Sequence, residues 1–315
     1  MIMIVMCKKL SALLLGALLA SGLTSCGIGQ SGDGKLDVVA GFYPMAYISE
    51  QIGENSIEVS NLTGPTTEPH DLEITPRQRT RIADADLAVF LKGFQPAFDA
   101  AIANHNKDRG FNAADIEPLL GGYVPVEESG GNPEGGHGKL HDDGQGKDPH
   151  IWLNPIRLAN VVAALAKRLG QIDPSDALKF NRAAAQLRGK LQALDTEISD
   201  ALHDCTSRTI VTSHNAFGYF AERYKLKQVA INGLSPEQEP SPERLAEVSR
   251  IAQANHVSTV FFENLVSPKL SETLAREIGA KTAKLDPLES KPGHGDYFSQ
   301  MRANVQALRT ALQCS

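Results

Sequence analysis

The stretch that decides the fold is DALKFNRAAAQLRGKLQALDTEISDALH, which runs from Asp176 to His203. Asp173 or Ser175 can cap its N-terminus, and Pro174 suits a first helical turn. At 1.5 Å per residue, a helix of about 28 residues spans roughly 42 Å, which is enough to cross a whole domain. We therefore predict one long rigid helix that joins two lobes. Its apolar residues recur at helical spacing: Leu178, Leu187, Leu191, Leu194, Ile198 and Leu202.

Strands and helices alternate on both sides of this helix. On the N-terminal side the pattern predicts strands at 36–44, 57–62 and 87–91 and helices at 45–52, 76–83 and 155–169. On the C-terminal side it predicts strands at 209–212, 227–231, 259–263 and 281–285, with helices starting near 216 and at 241–254, 267–278 and 301–312. Such alternation favours an α/β fold of two lobes, each with a mostly parallel sheet flanked by helices.

These patterns divide the chain into five predicted segments. They are a signal peptide (1–25), a tether (26–35), an N-terminal α/β lobe (36–172), a linking helix (173–204) and a C-terminal α/β lobe (205–315). The first lobe contains a predicted flexible loop at about 121–149, which is rich in glycine and carries His137 and His141. We interpret these two histidines as a possible auxiliary metal-collecting pair, and a solvated insertion is the alternative.

The N-terminus has the features of an export signal. Lys8 and Lys9 precede an apolar run from Leu10 to Ala20, which is shorter than the roughly 20 residues of a membrane span. The sequence LTSC that ends at Cys26 resembles the lipobox of bacterial lipoproteins. This resemblance implies an extracytoplasmic protein, periplasmic or on the cell surface, anchored to the membrane by lipidated Cys26. A simple secretory signal with an incidental cysteine is the alternative.

Composition limits the partners of the mature chain. Hydrophobic residues make up 42% and charged residues 22% of the sequence, as in an ordinary globular protein, and the formal net charge is −6. This charge argues against a nucleic-acid partner, which would require a basic face. We also expect a monomer.

Two cysteines remain beyond the signal region, Cys205 and Cys314. In an exported protein we expect them to form a disulfide, although Cys314, one residue from the end, could instead be unpaired.

Four donor residues follow strand ends or the glycine-rich loop: His70, His150, His214 and Asp286. Parallel sheets place ligands at the carboxyl ends of their strands. Three imidazoles and one carboxylate form a tetrahedral set suited to Zn(II), whereas manganese prefers more oxygen. The spacing alone does not establish a site, because the sequence has no short metal motif such as His-Glu-x-x-His.

Five motifs give a more specific indication: EPHDLEITPR (68–77), DPHIWLNP (148–155), SHNAFGY (213–219), EPSP (239–242) and LDPL (285–288). In this order they resemble the metal-binding lipoproteins of bacterial ABC importers, in the zinc-type (ZnuA-like, cluster 9) group. The resemblance runs from about residue 36 to the C-terminus. It implies two α/β lobes with a buried metal between them, held by His70, His150, His214 and Asp286.

The implied function is capture of Zn(II) outside the cytoplasm and its delivery to the membrane permease of an ABC importer. In this interpretation zinc is a transported ligand and the protein is not an enzyme. A manganese- or iron-specific protein of the same family is the alternative. A zinc hydrolase is less favoured, because it would need an open coordination position and a nearby general base.

Overall fold

The structure is a computed structural model that describes residues 34–121, 146–237 and 239–315. The predicted signal peptide, Cys26 and the His137–His141 pair lie outside these ranges. Among the described residues, no helix combines the length and the apolar character that crossing a membrane would require.

The first lobe contains β1 (Leu36–Ala40), α1 (Tyr43–Gly53), β2 (Ile57–Asn61), α2 (Pro76–Asp84), β3 (Leu87–Phe90), α3 (Pro96–His105) and β4 (Gly110–Asn112). Its four strands form a parallel sheet in the order β2-β1-β3-β4. Strands β2 and β3 follow the predicted segments, whereas β1 is shorter than the predicted 36–44 because α1 begins at Tyr43. Helix α3 and strand β4 have no counterpart in the prediction, because the apolar residues of α3 are not confined to one face and β4 has only three residues.

Two helices lead from the first lobe to the second, α4 (Pro155–Ile172) and α5 (Ala177–Ala201). Asn154 caps α4, since its side-chain oxygen accepts hydrogen bonds from the backbone of Ile156 and Arg157. The long predicted helix is therefore present as α5, with 25 residues and a length of about 38 Å. Helix α5 packs against α1 and α4 on one side and against the last helix of the second lobe on the other.

Two details of α5 differ from the prediction. Neither Asp173 nor Ser175 caps it, because the Asp173 carboxylate accepts from the backbone of Ser175 (3.0 Å) and closes a turn before the helix begins. Leu178 is 81% exposed and does not belong to the buried face, which begins at Phe180.

The second lobe contains β5 (Thr209–Thr212), α6 (Gly218–Tyr224), β6 (Lys227–Ala230), α7 (Pro242–Ala254), β7 (Thr259–Phe262), α8 (Lys269–Ile278), β8 (Lys281–Lys284) and α9 (Tyr297–Leu312). Its four strands form a parallel sheet in the corresponding order, β6-β5-β7-β8. All four strands match the predicted segments within one residue. Helix α9 begins four residues before its predicted start, because Asp296 and Ser299 form a capping box.

One hydrophobic core runs without interruption through both lobes. It includes Val38 of β1, Leu165 of α4, Leu191 of α5 and Tyr297 of α9. Between the lobes, the ring of Trp152 lies 4.8 Å from that of Phe42 in a tilted arrangement, and its indole nitrogen donates a hydrogen bond to the carbonyl of Pro287 (2.7 Å). The predicted α/β class with two lobes is confirmed, and the lobes share buried apolar surface that favours their association.

The predicted disulfide is also present, between Cys205 and Cys314, which are 109 residues apart. It joins the segment that follows α5 to the segment that follows α9.

Candidate metal site

Four side chains from distant parts of the chain converge between the two lobes. His70 lies in the loop after β2, and His150 stands just before the short helical turn that leads into α4. His214 comes two residues after β5, and Glu289 lies in the segment after β8. Parallel strands end at the same edge of their sheet, so loops that follow them meet there.

The donor atoms of these four residues all lie within 4.8 Å of one another. From Oε1 of Glu289, the distances to the Nε2 atoms are 3.1 Å for His150, 3.3 Å for His214 and 3.5 Å for His70. The Nε2 atoms of His150 and His214 are 3.4 Å apart. A tetrahedral zinc with bonds of 2.0 to 2.1 Å separates its donors by about 3.3 to 3.4 Å. These four of the six donor–donor distances are close to the edges of such a tetrahedron, and the other two are at most 4.8 Å.

The site is shielded from water to different degrees. The side chains of His150 and His214 are fully buried, and that of Glu289 is 3% exposed. The His70 side chain is 10% exposed, and its Nε2 has no hydrogen-bond partner among the described residues. A buried nitrogen without a partner is costly unless something binds it. A metal ion at the centre of the four donors would bind it.

Two of the imidazoles are oriented by carboxylates behind them. Nδ1 of His150 lies 2.8 Å from Oδ1 of Asp148, and Nδ1 of His214 lies 2.7 Å from Oε1 of Glu263. Each arrangement leaves Nε2 directed at the other donors. Carboxylates in this position fix the tautomer and the ring orientation of metal-binding histidines and make them stronger ligands.

Opposite charges within the site determine the pKa values of its side chains. Burial alone would raise the pKa of Glu289, but the three adjacent imidazoles hold that pKa well below its ordinary value. Burial would lower the pKa of His214, yet Glu263 and Glu289 raise it well above the ordinary value. The pKa of His150 is raised in the same way by Asp148 and Glu289 against the effect of burial. For His70 burial prevails, and its pKa is lowered.

A further acidic residue, Glu68, lies beside the site. Its Oε1 accepts a hydrogen bond from the backbone of His70 (3.3 Å). Burial, followed by the charge of Glu289, raises the pKa of Glu68 to about 8. At neutral pH this carboxyl is therefore largely protonated and adds little negative charge to the site.

Residues 38–311 match the protein family described as "Zinc-uptake complex component A periplasmic". The chain belongs to this family. The resemblance inferred from the five sequence motifs is thereby confirmed.

Individual members of the family extend the comparison. The chain is 36% identical to the zinc-binding lipoprotein AdcA of Streptococcus pneumoniae strain TIGR4 over 96% of its own length and 60% of AdcA, so it spans about three fifths of that relative. It is 33% identical to the high-affinity zinc uptake system protein ZnuA of Bacillus subtilis, covering 91% of this chain and 90% of ZnuA. The crystal structure of Zn(II)-bound AdcA from Streptococcus pneumoniae superposes with a TM-score of 0.72 at 33% identity, covering 89% of this chain and 58% of AdcA.

The fourth donor differs from the expectation drawn from the sequence. The structure brings His70, His150 and His214 together as expected, but the carboxylate that meets them is that of Glu289, three residues after Asp286. Asp286 is engaged elsewhere. Its Oδ1 accepts from the backbone of Leu288 (2.8 Å), and its Oδ2 accepts from the side chain of Asn264 (2.6 Å).

Asp286 instead shapes the turn that carries Glu289. An aspartate that accepts from the backbone two residues later forms an Asx turn, which reverses the chain. Leu288 adopts a left-handed conformation (φ 60°) within this turn. The sequence contains one usable signal, since LDPLES has two carboxylates three residues apart, but it does not show which of them faces the imidazoles.

Sequence reasoning also missed the carboxylates behind the histidines. Asp148 lies near the end of the predicted loop at about 121–149, and in the structure its side chain holds the imidazole of His150. Glu263 directly follows β7, and its contact with His214 spans 49 residues. The only signal in the sequence for this contact is the acidic residue at the end of the predicted strand 259–263.

Proposed function

We propose that this protein captures Zn(II) between its two lobes outside the cytoplasm and delivers it to the membrane permease of an ABC importer. The convergence of His70, His150, His214 and Glu289 at tetrahedral spacing carries the proposal. Membership of the zinc-uptake family supports it. Because donors come from both lobes, metal affinity depends on the lobes together, and separating them would release the ion.

The donor set favours zinc over manganese or iron. Three imidazole nitrogens and one carboxylate oxygen suit a four-coordinate zinc ion, whereas manganese sites are richer in oxygen.

Binding without catalysis is also part of the proposal. A zinc hydrolase keeps one coordination position open for the water that it activates. Here four protein donors supply all four positions of a tetrahedral ion, and Glu289 stands where that water would be.

We further propose that residues 1–25 are removed as a signal peptide and that lipidated Cys26 anchors the protein, as a monomer, to the outside of the membrane. Residues 26–35 would form the tether, 36–172 and 205–315 the lobes, and 173–204 the link between them. The name of the AdcA relative, a zinc-binding lipoprotein, supports the anchor. Mass spectrometry of the mature N-terminus tests it, since an unmodified cysteine would contradict lipidation.

A competitive metal titration tests the central proposal. The mature protein is stripped with a chelator and titrated with Zn(II) or Mn(II) against a chromophoric competitor. The chain has a single tryptophan, Trp152, whose ring lies 5.1 Å from that of His150, so its fluorescence serves as a second signal. We expect one zinc per protein and much weaker binding of manganese. Tighter binding of manganese, or no binding of zinc, would overturn the proposal.

Matched variants test the set of ligands. His150→Ala should lower zinc affinity by more than the roughly 10- to 100-fold that loss of an outer hydrogen-bond partner costs. Glu289→Gln should also cause a large loss, whereas the isosteric change Asp286→Asn should cause a smaller one. The reverse order for the two acidic residues would identify Asp286, rather than Glu289, as the fourth ligand.

A further inference from the structure

Tyr219 joins two distant backbone segments beside the metal site. It lies in the first turn of α6, five residues after His214, and its side chain is fully buried. Its hydroxyl accepts a hydrogen bond from the backbone nitrogen of Leu120 (2.7 Å) and donates one to the backbone carbonyl of Asp148 (2.8 Å). The backbone nitrogen of Asp148 in turn donates to the carbonyl of Leu120 (3.1 Å). These three bonds form a closed ring.

This ring connects the two lobes. Leu120 and Asp148 belong to the first lobe, whereas Tyr219 belongs to the segment of the second lobe that also carries His214. The guanidinium of Arg157 lies 4.9 Å above the Tyr219 ring, and Arg157 also donates to the carbonyl of Pro118 (3.1 Å). Arg157 therefore contacts the ring of Tyr219, and two hydrogen bonds fix its hydroxyl.

Asp148 links the ring to a candidate metal ligand. Its Oδ1 accepts from the backbone nitrogen of His150 (2.9 Å) and lies 2.8 Å from Nδ1 of that imidazole. Gly218, the neighbour of Tyr219, leaves room for the other oxygen, since a Cβ built there would lie 2.5 Å from Oδ2 of Asp148. Gly218 and Tyr219 together confine both the backbone and the carboxylate of Asp148.

We propose that Tyr219 is a positioning residue for zinc binding, which fixes Asp148 and through it the orientation of the His150 imidazole. It does not touch the metal. Its effect is to make the geometry of the first-lobe donor His150 depend on the second-lobe segment that supplies His214. This inference rests on the proposed function.

The expected effect is moderate because Tyr219 acts through one intermediary. Removing a direct outer partner of a metal-binding histidine typically costs about 10- to 100-fold in affinity. Tyr219 holds that partner, Asp148, by its main chain. We therefore expect the loss of its hydroxyl to lower zinc affinity by about tenfold, at the lower end of this range.

The test compares Tyr219→Phe with Tyr224→Phe in the full mature protein. Tyr224 is a matched control: it is a buried tyrosine on the same helix, and its hydroxyl donates to Oδ1 of Asp195 (3.0 Å), away from the metal site. Three quantities are measured, namely zinc affinity by chelator competition, the visible spectrum of the Co(II)-substituted protein, and the melting temperature without metal. A structural role alone would change only the melting temperature.

We expect Tyr219→Phe to weaken zinc binding and to alter the Co(II) spectrum, and Tyr224→Phe to do neither. Unchanged zinc affinity in a folded Tyr219→Phe protein would overturn the inference, as would an equal loss in both variants. If Tyr219→Phe does not fold, Gly218→Ala decides, because its methyl group displaces the Asp148 carboxylate while the Tyr219 hydroxyl remains. Unchanged affinity in Gly218→Ala would then overturn the inference. A wild-type protein that does not bind zinc would overturn the proposed function and this inference with it.

Discussion

The two lobes have corresponding sheets, but they hold their metal donors in different ways. In the second lobe, His214 is fully buried and Glu263, at the end of β7, is hydrogen-bonded to its ring. In the first lobe, His70 lies in the long loop between β2 and α2, and its side chain is 10% exposed. Among the described residues, no carboxylate lies within hydrogen-bond distance of its Nδ1. A carboxylate thus fixes the ring of His214, whereas no carboxylate fixes that of His70.

Donor side chains from two similar sheets are therefore constrained to different extents. A donor that is already fixed loses little conformational freedom on binding, whereas a freer side chain gives up more. His150 belongs to the fixed group even though it comes from the first lobe, because Asp148 orients it. The candidate site therefore has two imidazoles with a carboxylate behind them, His150 and His214, whereas His70 is less constrained.

The strongest test of this comparison is the replacement of one histidine from each lobe. We expect His214→Ala to reduce zinc affinity by orders of magnitude and His70→Ala to reduce it less. The first change removes an oriented donor and also takes away the imidazole that faces the buried Glu263, which is itself destabilising. Both affinities are measured by chelator competition, with circular dichroism as a control for folding. Equal losses, or a greater loss for His70→Ala, would contradict the distinction between the lobes.

Acidification should weaken zinc binding, because zinc requires neutral imidazoles. The pKa values of His150 and His214 are raised by their carboxylate neighbours against the effect of burial, so protons compete at both residues from above pH 6.5. As pH falls from about 7.5 to 5.5, affinity should drop by about tenfold per pH unit for each proton displaced.

The pH dependence is measured by repeating the zinc titration across this range. A variant that retains its fold but lacks Glu263 should begin to lose affinity at a lower pH, because the charge that raises the pKa of His214 is gone. Zinc affinity that is constant between these pH values would show that proton competition is absent.

Replacing the carboxylate behind each oriented imidazole should cause an intermediate loss of zinc affinity. Glu263→Gln and Asp148→Asn keep the size of each side chain but remove the charge that fixes His214 and His150. We expect each change to lower zinc affinity by about 10- to 100-fold. The isosteric change Asp195→Asn, which lies at a distant ion pair with Arg223, serves as a control and should leave affinity intact. Unaltered affinity in both variants would mean that the rings are oriented by packing alone.

The disulfide should affect stability but not zinc binding. The double change Cys205→Ser and Cys314→Ser opens a link across 109 residues, and loss of such a link typically costs about 2 to 5 kcal/mol of unfolding free energy. The bond lies away from the four donors, so zinc affinity should match that of the wild-type protein. Urea denaturation and zinc titration of the same samples check both statements. A loss of affinity without a loss of stability would indicate that the second lobe transmits strain to the site.

The sequence by itself determined the alternation of strands and helices, the long helix between two lobes, and the three histidines at its motifs. Strand ends and helical spacing are local features, so periodicity and motif order are sufficient to find them. Elements with weak periodicity were missed, such as the three-residue strand β4, and the exposure of Leu178 was not apparent from its spacing.

Only the tertiary structure decided which carboxylate meets the three imidazoles. Asp286 and Glu289 are chemically similar and three residues apart, but the Asx turn occupies Asp286 and turns Glu289 toward the imidazoles. The pairing of His214 with Glu263 and the ring formed by Tyr219, Leu120 and Asp148 likewise join residues that are far apart in the chain. Such contacts depend on how the two lobes pack, because the path of the backbone determines which side chains meet.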